Sequence, residues 1–132
     1  MNIARRQLLL LIVLFLALSG CSQAYDSQVS GEVALDGKPL TLGTITFHPL
    51  GDGPLAYGQI DAAGKFALST GANAGLKPGD YVVTIVATGP PPSDMIPGAL
   101  LTPAKYGSKD KSDLKATVVA GKNHFKLEMK SP

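Results

Sequence analysis

The sequence predicts an all-β protein, a single β-sandwich of seven strands that follows a cleaved signal peptide. Apolar and polar residues alternate with a period of two in short runs from residue 29 onward, and this period is typical of half-buried strands. Turn residues such as Gly, Asp and Pro separate the runs, and no stretch beyond residue 28 shows a convincing helical period. A sandwich of about 100 residues has this pattern.

The seven predicted strands span residues 29–35, 44–48, 56–60, 65–68, 81–88, 114–119 and 123–130. Asp36 and Gly37 follow the first strand and are typical of a two-residue turn. The strand at 81–88 is apolar on both faces, which predicts a central position. The last two strands are predicted to form a hairpin around residues 120–122. The predicted core consists of Phe47, Phe66, Tyr81, Ile85, Val118, Phe125 and Leu127.

A long proline-rich loop at 89–113 interrupts this rhythm. It contains apolar residues that we expect to be exposed, namely Met95, Ile96, Leu100 and Leu101. Structureless loops of this length are uncommon in compact domains and are often functional. Two interpretations stay open: a crossover that covers one end of the sandwich, or a binding loop. For a binding loop, the candidate residues are Pro103, Lys105 and Tyr106.

The N-terminal segment is organised like an export signal. Arg5 and Arg6 precede an apolar run at 8–18, which is too short to cross a bilayer core that needs about 20 residues. The next residues, Leu-Ser-Gly-Cys ending at Cys21, resemble the bacterial lipobox, in which the signal is cut before the cysteine and the thiol receives a diacylglycerol. We therefore predict a signal peptide at 1–20, a tether at 21–28 acylated on Cys21, and a domain at 29–130.

Composition excludes several classes of function. The chain has 12 basic and 10 acidic residues, but its two arginines are Arg5 and Arg6, so the predicted mature part is nearly neutral. It therefore lacks a basic surface for nucleic acid. Cys21 is the single cysteine, which excludes an intramolecular disulfide. His48 and His124 are the only histidines, and no metal-ligand, nucleotide or nucleophile motif accompanies them. We predict no cofactor, no metal and no catalytic residue.

Three turn-and-strand motifs carry a resemblance to a known fold. They are residues 31–40 (GEVALDGKPL), 61–66 (DAAGKF) and 76–83 (LKPGDYVV). Together they resemble the transthyretin-like, or carboxypeptidase regulatory-like, Greek-key β-sandwich. With the lipobox, they are similar to short bacterial envelope lipoproteins that carry this domain alone. The resemblance implies a non-catalytic accessory or adhesion-type module.

The sequence therefore predicts an envelope lipoprotein, not an enzyme. Its membrane partner is lipid, reached through acylated Cys21, and Ser22 after that cysteine favours the outer membrane, facing the periplasm or the surface. A second partner would be an envelope protein or glycan. A spacer or coat component without a specific ligand is the alternative. Hydrolases of the transthyretin-like type are a distant alternative, since they use several His and Arg residues and the predicted mature chain has no Arg.

Overall fold

Residues 25–132 are described by the computed structural model, and they form two β-sheets that share one apolar core. In chain order the elements are β1 (Gln28–Leu35), β2 (Lys38–Pro39), β3 (Thr44–Pro49), β4 (Ala56–Gln59), β5 (Lys65–Ala67), β6 (Gly79–Val86), a 3₁₀ helix (Ala104–Gly107), β7 (Lys115–Val118) and β8 (Lys122–Met129). The all-β class is confirmed, and each of the seven predicted strands has a counterpart. The structure adds β2, which the sequence did not predict.

β1 is the central strand of the first sheet. β8 pairs with one side of β1 in parallel, and the register runs unbroken from Gln28–Lys122 to Leu35–Met129. On its other side, β1 pairs antiparallel with β5 and then with β2. Asp36 and Gly37 have φ angles of 52° and 80° between β1 and β2. Both angles fit a type I′ turn, so the predicted turn chemistry is confirmed.

The second sheet has the strand order β4-β3-β6-β7, and all its pairs are antiparallel. β6 lies between β3 and β7, as its two apolar faces predicted. Tyr81, Val83 and Ile85 face the core, while Val82 and Thr84 on the opposite face are also buried. Because the 3₁₀ helix packs against β6, both faces of this strand are largely removed from water.

The predicted hairpin between the last two strands is wrong. β7 pairs with β6 in the second sheet, whereas β8 pairs with β1 in the first. The turn at 119–121 is therefore an arch that crosses from one sheet to the other. The side-chain amide of Asn123 holds this arch by donating to Val119 O at 2.8 Å and accepting from Val119 N at 3.0 Å. Alternation of apolar residues is the same for strands that face each other across a core and strands that pair side by side, so the sequence pattern did not distinguish them.

The core joins the inner faces of the two sheets. Six of the seven predicted core residues are buried, and the exception, Phe125, is partly buried and packed against the cluster. The ring of Phe47 lies 5.7 Å from that of Tyr81 and 6.0 Å from that of Phe125, so it connects both sheets. Each fully buried side chain of this kind stabilises the fold by about 1.5–3 kcal/mol.

The two ends of the sandwich differ in what lies there. The end where the described chain enters is the proximal end, and there Leu76 N donates to Ser27 O at 2.9 Å, just before β6 begins. β1 and β6 both run from this end toward the distal end, where the hydroxyl of Tyr106 accepts a hydrogen bond from Lys130 N, directly after β8. An eight-residue strand is about 26 Å long, which sets the distance between the ends.

Candidate functional site

The long loop is divided into two parts with different roles. Residues 87–101, which we call the arm, form a two-limbed extension of β6 in which Leu101 N donates to Ala87 O and Gly89 N donates to Ala99 O, each at 2.8 Å. Residues 102–114, which we call the cover, return along the sandwich to β7. Because the arm continues β6 past its distal end, it projects from the end opposite to where the chain enters.

The arm carries apolar side chains that the fold does not bury. The exposed fractions of these residues are 91% for Met95, 55% for Ile96, 50% for Leu100 and 44% for Leu101. The predicted exposure of these four residues is confirmed. Asp94 is the one ionisable residue of the arm. The arm therefore presents a largely apolar surface with a single charged residue to water, and such surfaces mark interaction sites more often than isolated exposed residues do.

The backbone of the arm is constrained by its sequence. Three consecutive prolines, 90–92, fix φ near −65° and lack donors, which stiffens the outgoing limb. The returning limb approaches so closely that a Cβ atom on Gly98 would overlap the carbonyl oxygen of Gly89. At the tip, Ile96 N donates to Ser93 O at 3.2 Å and closes a turn that presents Met95. A stiff arm loses little conformational entropy when it binds.

Two hydroxyl side chains fix the base of the arm and the end of the cover. Thr102 Oγ1 accepts a hydrogen bond from Ala87 N at 3.3 Å, and Ser112 Oγ donates to the carbonyl of Val83. Both side chains are buried. Sequence reasoning missed these two residues, because a hydroxyl residue in a loop has no periodic signal. Their position beside a strand end in a proline-rich loop is the one feature that could have indicated them.

The three candidate binding residues lie in the cover, but the structure does not place them alike. Tyr106 is 3% exposed and belongs to the core, and its hydroxyl accepts from Lys130 N at 3.0 Å. Pro103 is half-buried, and Lys105 is exposed. Pro103 and Lys105 line a shallow, largely apolar depression of about 380 Å³ with Ala104 and residues 130–132. A ligand there would contact Pro103 and Lys105, whereas the Tyr106 ring serves the packing; binding at these residues stays a prediction.

Lys105 is held against its own loop. Its Nζ lies 3.3 Å from Asp113 Oδ2 and 4.7 Å from the centroid of the Tyr106 ring. The hydrogen bond to Asp113 raises the pKa of Lys105 above its ordinary value. The ammonium group remains cationic and in contact with water. Because the pair is exposed, it contributes little to stability. Both contacts of Lys105 are with residues of the cover, so its side chain links two parts of the cover instead of pointing toward a ligand.

His48 is the histidine with a side-chain partner. Its Nε2 lies 2.9 Å from Thr84 Oγ1. Burial lowers the pKa of His48, and the nearby charge of Lys109 lowers it further. A histidine beside a hydroxyl is the pairing that nucleophilic catalysis uses, but Thr84 is buried between sheet and cover, where a substrate carbonyl does not reach it. This pair therefore satisfies two polar groups on the outer face of the second sheet.

The remaining groups offer no further chemistry. Within residues 25–132, no three His, Cys, Asp or Glu side chains lie close enough together to hold a metal ion. No helix in the same range is long and apolar enough to cross a membrane. Cys21, the predicted lipid attachment site, lies outside the described residues, as does the signal peptide predicted at 1–20, and both stay predictions.

Comparison of the chain with protein-family models, with curated proteins and with solved structures found no match. The assignment of function therefore depends on the site itself. What the described residues present is a stiff, largely apolar arm at the distal end, whose one charged residue is Asp94. A cover with three buried residues, Thr102, Tyr106 and Ser112, fixes this arm to the sandwich.

Proposed function

We propose that this chain is an exported lipoprotein, anchored through acylated Cys21, whose arm binds an apolar groove on another protein of the cell envelope. The observation that carries the proposal is the exposure of Met95, Ile96, Leu100 and Leu101 on one projecting segment. Between 44% and 91% of each residue stays exposed, so the fold leaves a large part of their apolar surface unused. Their chemistry is that of an anchor for a partner's pocket.

The position of the arm supports this role. The predicted tether enters the sandwich at the proximal end, at Ser27, while the arm leaves it from the distal end. About 26 Å of strand separates them. An anchor at Cys21 therefore leaves the arm uncovered, whereas a loop at the proximal end would lie against the tether.

The chemistry of the arm favours a protein groove over a glycan. Glycan sites use aromatic platforms and polar side chains, and residues 87–101 contain no aromatic residue and only Asp94 as a charged one. Burying two of the apolar side chains contributes about 3–6 kcal/mol before the cost of association. Binding through this surface is expected to depend little on salt, because it has no ion pairs to screen.

The finer fold assignment belongs to this proposal. We infer that the seven longer strands form the Greek-key sandwich of the transthyretin-like class. In support, β1 is central in one sheet beside β5 and β8, and β4, β3, β6 and β7 form the other. Accessory modules of this kind act by binding, and a non-catalytic role agrees with the burial of Thr84 beside His48.

Photo-crosslinking in intact cells tests the binding role. A benzophenone amino acid replaces Met95 in the full chain, and the same probe at Lys65, an exposed residue of β5, is the matched control. We expect a discrete protein adduct from position 95 alone. Adding Ile96→Asn and Leu100→Asn is expected to abolish that adduct while the far-UV circular dichroism stays unchanged. Adducts that are absent, or equal at both positions, would indicate a spacer or coat component.

A separate experiment tests the anchor. Cys21→Ala removes the thiol that receives the diacylglycerol, so we expect the protein to leave the membrane pellet. A single acyl chain binds membranes marginally and two or more anchor stably, at about 0.8 kcal/mol per buried CH₂. Wild-type recovery of the variant in the pellet would contradict the lipoprotein assignment without affecting the arm's role, so the two parts of the proposal are tested independently.

A further inference from the structure

One side of the β8 backbone has no partner in the part of the chain that the structure describes. Gln28 N donates to Gly121 O, and Asp36 N donates to Met129 O. The odd-numbered residues of β8 therefore direct their backbone groups to β1, and the even-numbered residues direct theirs away. Between residues 25 and 132, no hydrogen bond reaches these outward groups from 122 to 128. We call them the β8 edge; they belong to Lys122, His124, Lys126 and Glu128.

The β8 edge has defined limits. At its distal limit, the next outward N–H, that of Lys130, is occupied by the Tyr106 hydroxyl at 3.0 Å. At its other limit, the arch at 119–121 leaves the sheet. Between them the register with β1 is unbroken, with no bulge and no proline. Natural edge strands often carry such interruptions, because an open edge is a template for another strand; lysine side chains are another common protection, and this edge has Lys122 and Lys126. The open segment is 122–128, and its midpoint is Phe125.

We propose that the β8 edge pairs with the β8 edge of a second copy of this chain, antiparallel, with the two-fold axis at Phe125. This is the register in which all four open residues of each copy meet open residues of the other. Residue 122 then lies opposite 128, and 124 lies opposite 126. The pairing forms about eight backbone hydrogen bonds between the copies and joins the two first sheets into one continuous sheet.

The charges along the edge fit this register. Lys122 of each copy faces Glu128 of the other, so two opposite-charge pairs form across the axis, while His124 faces Lys126. A shift by two residues in one direction places Lys126 opposite Lys126, and a shift in the other places Lys122 opposite Lys126. Directly opposed like charges destabilise a strand pair. The sequence of the edge therefore selects one register by charge as well as by hydrogen bonding.

The inner face gains burial from the same pairing. Phe125 is partly buried in one copy, with its ring 6.0 Å from that of Phe47. At the two-fold axis, the Phe125 residues of the two copies form a non-hydrogen-bonded pair, with Cα atoms about 4.5 Å apart. Each ring then covers the exposed part of the other. The apolar cores of the two sandwiches become continuous.

The pairing is compatible with a lipid anchor. Antiparallel pairing places the two proximal ends at opposite ends of the dimer, and both tethers reach one membrane when the strands lie along its surface. One arm lies at each end, beside the end at which the tether of the other copy enters, and neither arm is part of the paired edge. Confinement of anchored copies to a membrane raises their effective concentration, which favours the pairing without any additional contact.

Oligomeric state tests the proposal directly. The full chain, purified in mild detergent, is measured by light scattering with conjugate analysis over about 1–100 µM, a range suited to an interface of modest area. The chain is expected to be a dimer. Lys126→Pro removes an outward N–H that β1 does not use and is expected to give a monomer, whereas the matched variant Lys126→Ala stays dimeric. Circular dichroism checks that each variant remains folded.

A charge exchange makes the register itself falsifiable. Lys122→Glu places Glu opposite Glu128 twice and is expected to weaken association about tenfold, and adding Glu128→Lys is expected to restore it. A monomeric wild-type chain would overturn the proposal. So would a Lys126→Pro variant that remains dimeric, since copies would then share a micelle or use another surface. Failure of the double variant to recover would exclude this register. The arm variant Ile96→Asn, which leaves the edge intact, is expected to remain dimeric.

Discussion

Tyr106 is predicted to hold the sandwich together rather than to contact a ligand. The residue is 3% exposed, and its side chain belongs to the core cluster beneath the cover. Truncating a buried aromatic residue to alanine costs about 3–5 kcal/mol, because the lost contacts leave a cavity. With a urea m-value of about 1.5 kcal/mol/M for a domain of this size, Tyr106→Ala is expected to lower the unfolding midpoint by about 2–3 M.

The hydroxyl of Tyr106 makes a smaller and separable contribution. Tyr106→Phe keeps the ring and its contact with Lys105 at 4.7 Å, but it removes the acceptor of the Lys130 N–H. A hydrogen bond of this kind contributes about 0.5–1.5 kcal/mol net, and Lys130 is exposed, so water can replace the lost acceptor. The two substitutions are therefore expected to differ by about 2 kcal/mol or more.

Urea unfolding of the full chain in mild detergent measures both variants. The chain has no tryptophan, so far-UV circular dichroism is the signal. Tyr57, which is 48% exposed on β4, supplies the control. Tyr57→Ala is expected to change the free energy of unfolding by less than about 1 kcal/mol. If Tyr106→Ala were no more destabilising than Tyr57→Ala, the ring would not have the packing role described, and a ligand-contacting role would be the better interpretation.

Three further predictions concern a histidine, a glycine and a carboxylate. Burial lowers the pKa of His48, so the unfolded chain binds this proton at a higher pH than the folded chain does. The free energy of unfolding is therefore expected to fall as the pH drops below about 6.5, and His48→Gln is expected to remove that dependence in a series of urea titrations. Gly98→Ala is expected to break the hydrogen bond from Gly89 N to Ala99 O, because the added Cβ overlaps the carbonyl oxygen of Gly89. The amide of Gly89 then loses its protection against hydrogen exchange. The control is Gly89→Ala, which has room for a Cβ and is expected to keep the arm closed and the amide of residue 89 protected. The hydrogen bond from the Ser131 hydroxyl is the main reason that the pKa of Asp36 is lowered; in a carboxyl NMR titration, Ser131→Ala raises that pKa and Ser131→Thr leaves it low.

The strands could be predicted from the sequence because their alternation survives in the fold. Val29, Val33 and Leu127 are buried while their neighbours along the strand are exposed or half-buried, which is what a period of two means physically. The Asp36–Gly37 turn was predictable for a similar local reason, since few residues adopt two successive positive φ angles. β2 was not predictable, because a strand of two residues has no period to read.

The sequence was enough to recognise the long loop at 89–113, but not to separate its exposed arm from its cover. Its length and its five prolines indicated an unusual segment, and the exposure of Met95 and its neighbours followed from their lack of period. The same lack of period made Tyr106 look available for binding. A tyrosine in an irregular segment serves equally well as a buried plug with one polar end, and the deciding contact, with Lys130, lies 24 residues away. Local patterns do not carry contacts of that range.

The one wrong pairing has the largest consequence for function. If β7 and β8 formed a hairpin, the outward backbone groups of Lys122 to Glu128 would be satisfied by β7 and the sheet would have no open edge there. Because the arch at Asn123 sends the chain to the other sheet, β8 gains β1 on one side and nothing on the other within residues 25–132. The edge and the arm then lie on different parts of the surface. The edge offers backbone donors and acceptors beside Lys122, Lys126 and Glu128, whereas the arm is largely apolar. A strand edge pairs with another extended strand through its backbone, whereas an apolar arm binds a pocket through its side chains. Self-association and partner binding are therefore expected to be independent, so that Lys126→Pro abolishes the dimer without changing the Met95 adduct.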